Sequence, residues 1–80
     1  MKIVMVEWTD STMLGQRWHC GDEIDQLDIG RCVSVGIVRQ DDDEKLVLTQ
    51  NQGRYMDGAN LIAIPRGCIK RIRLLRVSPL

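Results

Sequence analysis

Apolar residues in this chain recur with a period of two, in short runs that turn-forming residues cut off. That pattern commits most of the chain to strands. The first run, Lys2–Ser11, reads KIVMVEWTDS. Val4, Val6 and Trp8 fall on one side of it and Ile3, Met5 and Glu7 on the other, because successive strand side chains alternate. Thr9, Asp10 and Ser11 then stop it, since short polar side chains bond to nearby backbone and favour turns. Two readings of this stretch stand together. Trp8 is either a core residue before an ordinary turn, or the aromatic edge of a binding site.

The later runs extend the pattern. Arg31–Gln40 is a second strand, in which Val33, Val35 and Ile37 alternate with Cys32, Ser34, Gly36 and Val38. Gly36 inside it signals a bulge or the close approach of another group. Asp41–Glu44 reads as a solvated hairpin tip leading to a third strand, Lys45–Gln50. Asn51–Ala59 reads as a loop and Asn60–Ile64 as a fourth strand. Pro65 to Cys68 then predict a tight turn or one 3₁₀ turn. Spacing alone lets Ile69–Val77 be helix or strand; the β order before it and Pro79 after it favour a strand. Between the first two strands, Thr12–Gln16 is a loop, and GDEIDQLDIG predicts a helix over 22–27 with Gly21 or Asp22 as its cap. The expected fold is one mainly β domain spanning 1–80, a small SH3-like antiparallel barrel of four to five strands with one short helix.

Eighty residues leave room for one core, and Phe is absent, so Val, Ile, Leu and Met must build it. A core this small gives a modest margin of stability, and homo-oligomerisation is the expected remedy. Charge is zero overall but unevenly spread: residues 1–50 carry −5 and residues 51–80 carry +5. That asymmetry suits an anionic ligand or head-to-tail contact between copies, while a neutral whole does not suit duplex DNA. Three cysteines without CxxC pairing fit a reducing cytoplasm. The N-terminus lacks a signal-peptide pattern, and no apolar run reaches the ~20 residues of a membrane helix.

Catalysis has little to stand on. His19 is the sole histidine, with no Ser or Cys at a diagnostic spacing, and GxxxxGK[ST] is absent. The expectation is therefore no enzyme and no cofactor. His19, Cys20, Cys32 and Cys68 form a Cys₃His set on paper, but adjacent ligands suit tetrahedral zinc poorly. The more chemically coherent cluster is Arg66, Lys70, Arg71 and Arg73, because Arg grips phosphate with two donors and Lys adds a point charge. Trp8, Trp18 and Tyr55 are the aromatics available to stack on a base. Asp10 can accept from a base amino edge. The competing reading is a basic strand facing solvent beside an aliphatic core.

WTDS (Trp8–Ser11), Trp18, CVSVG (Cys32–Gly36), LVLTQ (Leu46–Gln50), IAIP (Ile62–Pro65) and IKRIRLL (Ile69–Leu75) follow one another along the chain. In that order they resemble a family of small bacteriophage-encoded proteins with a WxDS start, an SVG strand and an I-P…I-x-x-I ending. In size and build the chain is also similar to phage sponge proteins, which are oligomers that withhold cyclic nucleotide immune signals from bacterial effectors. Met13–Arg17 and the His19–Cys20 pair fall outside the pattern. The resemblance implies an anti-defence protein in the cytoplasm of an infected bacterium. It implies a pocket lined by Trp8, Asp10 and Ser11, stacking by Trp18, and phosphate contacts from Arg66 and Lys70. The alternative is a small inhibitor or adaptor that binds a host protein through a strand edge or the acidic tip.

Overall fold

Each alternating run forms a strand in the computed structural model, which describes residues 1–78. The strands are β1 (Ile3–Asp10), β2 (Gly30–Asp41), β3 (Lys45–Gln52), β4 (Gly58–Pro65) and β5 (Ile69–Leu75). They form one antiparallel sheet in the order β4-β3-β2-β1-β5. The acidic tip closes the β2–β3 hairpin: Asp42 Oδ1 accepts the backbone N–H groups of Glu44 and Lys45, each at 2.9 Å. The turn after Pro65 is a single 3₁₀ turn, Arg66–Cys68. The ambiguous last run is a strand because β1 offers it a ladder, from Ile3↔Leu75 to Trp8↔Ile69. It ends at Leu75; Pro79 lies outside the described residues.

β3 and β4 run longer than the sequence pattern predicts and shorten the loop expected over Asn51–Ala59, since hydrogen-bonded pairing carries β3 to Gln52 and starts β4 at Gly58. The helix is shorter. It spans Gly21–Asp25, and its N-cap is Cys20, with no side-chain cap bond, rather than Gly21 or Asp22. Leu27 lies beyond it. Ile24 and Leu27 are 56% and 46% exposed, so no apolar contact extends the helix.

β2 belongs to two halves of the sheet. It pairs with β1 from Gly30 to Ile37 and with β3 from Ile37 to Asp41. Gly36 is buried at that handover, where an added Cβ would sit 3.0 Å from both Leu48 Cβ and the Thr49 carbonyl oxygen. The glycine therefore marks a close approach; the register shift in β2 lies instead between Val38 and Gln40. The sheet coils about this point, bringing Val4 and Val6 against Leu46, Leu48 and Ile64. Trp8, Val38, Ile62, Cys68 and Ile69 pack around that cluster.

The expected barrel is not closed. β4 pairs with β3 alone and β5 with β1 alone, so the sheet keeps two edges. A closed barrel must be filled by side chains, and the inner face of β2 offers only Cys32, Ser34 and Gly36 opposite Trp8, Val6 and Val4. Ile72 and Leu74 face the same side as Val6 and Val4, yet they are 37% and 62% exposed.

Candidate ligand-binding cleft

A break in the β1–β5 ladder creates the most chemically distinctive surface. Glu7 faces Arg71, and the next residue, Trp8, faces Ile69. Lys70 is therefore the extra residue of a β-bulge, a device that redirects a side chain and recurs beside functional sites. It lines an open cleft of about 470 Å³ with Glu7, Trp8, Arg31, Cys32, Val33 and Arg71. The volume falls within the range of small-molecule sites.

Three cations and one carboxylate line this cleft. Glu7 Oε2 lies 3.4 Å from Arg71 Nε, which neutralises one pair. Arg31 contacts Asp28 at 3.2 Å with both side chains two-thirds exposed, a solvated pair that competes weakly with a bound anion. The Asp28 carboxyl is held below the usual carboxylate range, first by the Ile29 N–H and then by Arg31. Arg31 and Lys70 remain the groups able to meet an anion.

Of the residues expected in a pocket, Trp8 and Lys70 meet in this cleft. Trp8 also packs on the core, and its indole N–H donates to Ser34 Oγ at 3.0 Å. Asp10 accepts the Ser11 N–H at 2.8 Å, so this pair forms the polar turn at the end of β1. Arg66 donates to Asp41 Oδ1 at 2.7 Å and ties the 3₁₀ turn to the hairpin tip. Neither Asp10, Ser11 nor Arg66 lines the cleft. Trp18 is 97% exposed and lines a different hollow with Gln16, Arg17, His19 and Ile24. Tyr55 is exposed in the β3–β4 connection.

Arg31 and Glu7 escape sequence reasoning because neither belongs to a basic or aromatic cluster. Their signal is register alone: β1–β2 pairing sets Arg31 opposite Thr9 and Val33 opposite Glu7. Among the described residues no group of three or more His, Cys, Asp or Glu is arranged to hold a metal ion. No helix there is long and apolar enough to cross a membrane. Comparison with family models, curated proteins and solved structures finds no match to this chain.

Proposed function

We propose that this chain binds and sequesters a phosphorylated, nucleotide-type signal without chemistry, as a self-associating anti-defence protein of a bacteriophage. The observation that carries the binding part is the bulge that brings Lys70 to Arg31 beside Trp8 in one cleft. Charge-assisted bonds from Arg and Lys supply the phosphate contacts. The order of WTDS, CVSVG, IAIP and IKRIRLL supports the phage and anti-defence part.

The test is thermal unfolding with a panel of cyclic dinucleotides, cyclic trinucleotides and ADP-ribose derivatives. A ligand that binds the native state raises the midpoint by an amount set by its concentration over its dissociation constant. One ligand class is expected to raise it, and Lys70→Glu is expected to remove that rise. No rise with any of them discards the nucleotide reading.

A second reading rests on the connection between β1 and β2, where Met13, Trp18, Ile24, Leu27 and Ile29 are all exposed. Large apolar side chains clustered on one exposed segment suit a protein partner. That reading expects a host protein to co-purify, and its capture to be lost with Trp18→Ala.

A further inference from the structure

We infer that copies of this chain join edge to edge, with β4 of one copy pairing antiparallel to β5 of the next. The surface the chain leaves uncovered is the first ground. A folded monomer of this mass exposes about 4,900 Å² by the usual scaling, whereas this chain exposes 6617 Å². The excess, about 1,700 Å², exceeds the roughly 800 Å² per partner that a standard interface removes. The radius of gyration is 16.6 Å, against about 12 Å for a compact chain of this length.

The two free edges differ in chemistry, and that difference selects the pairing. β4 reads GANLIAIP and carries no charged residue, so it lacks the charges that usually keep edge strands apart. β5 carries Lys70, Arg71 and Arg73. Pairing β5 with its own copy about a two-fold axis sets these cations against each other, which is unfavourable. Pairing β4 with its own copy leaves Ile72 and Leu74 of both chains uncovered. Pairing β4 with a neighbour's β5 places an uncharged edge beside the basic one and covers those apolar side chains.

Charge also sets the direction. The β3–β4 ladder holds Pro65 opposite Lys45, so the acidic tip Asp41–Glu44 lies at the Pro65 end of β4. Antiparallel docking brings the start of the neighbour's β5, with Lys70 and Arg71, to that end. The contact is head-to-tail, and repetition gives a ring or a filament. This deepens the self-association part of the proposal above and does not depend on the ligand.

Native mass spectrometry of two variants tests it. Leu61→Lys with Ala63→Lys blocks β4; Arg73→Glu with Leu74→Asp blocks β5. The wild-type chain is expected above monomer mass, each variant alone as a monomer, and the equimolar mixture as a heterodimer joined through the one intact β4 and the one intact β5. A wild-type monomer at the highest soluble concentration overturns self-association itself. A β5 variant that still dimerises alone, or a β4 variant that does so, overturns the edge assignment only. Amide hydrogen exchange of the wild-type chain decides the matter without substitutions. The outward-pointing amides of β4 and β5, those not bonded to β3 or β1 within the chain, are expected to lose protection together on dilution, and protection of these amides that does not depend on concentration overturns the pairing.

Discussion

His19 shows how an exposed segment is held by single atoms. Its Nδ1 lies 2.8 Å from Glu23 Oε2, and its Nε2 lies 2.7 Å from the Gly15 carbonyl oxygen. Both partners accept, so the ring satisfies both only as imidazolium, with each nitrogen donating. The Glu23 carboxylate first, and the Gly15 carbonyl second, raise the His19 pKa above its ordinary 6.5. His19 and Arg17 together hold Glu23 below its ordinary 4.5. A raised folded-state value means that the stabilisation by His19 is whole below pH 6.5 and is lost as pH rises through the folded value. A lowered one means that the contribution of Glu23 is present above pH 4.5 and is lost as pH falls through its folded value. The 15–23 segment is therefore best held between those limits. The His19 ring resonances are expected to titrate with a midpoint above 6.5 that drops in Glu23→Gln; a midpoint unmoved by that change would show the pair unformed in solution.

β2 is the element on which the architecture turns. Its two halves serve different neighbours, and Gly36 sits where they meet. Gly36→Ala must push its Cβ against Leu48 Cβ and the Thr49 backbone, each 3.0 Å away. Backbone yields less readily than a side-chain tip, so the expected cost is about 1–3 kcal/mol, as for other overpacked sites. Urea unfolding measures it, and a gain in stability would mean that the coil at Gly36 relaxes freely. β5 shows the converse, where an irregularity adds chemistry: the extra residue Lys70 joins Arg31 and Arg71 in the cleft.

At the scale of the molecule, little apolar mass holds the fold together. Among the described residues the fully enclosed aliphatic side chains are Val4, Val6, Leu46, Leu48 and Ile64. Ile64→Ala empties space at the centre of that cluster, and such truncations cost about 2–5 kcal/mol. A domain of this length is stable by roughly 4–12 kcal/mol, so the variant is expected to lose much of its cooperative melt by circular dichroism. An unaltered melt would place the stability elsewhere, in contacts between copies.

What the sequence determined by itself was the local part. The period of two specified strands, Pro65 and Gly67 specified the turn before β5, and the acidic run specified the hairpin tip, because each depends on neighbours within a few residues. Tertiary structure alone decided the rest. It placed Trp8 against the core and left Trp18 exposed. It made Ile69–Leu75 a strand by lending it the β1 ladder, and it left the barrel open because the inner face of β2 is too small to fill one. It also drew Arg31 to Lys70 across two ladders and turned Arg66 toward Asp41. Register between distant strands is a property of the whole packed sheet, and no local pattern encodes it.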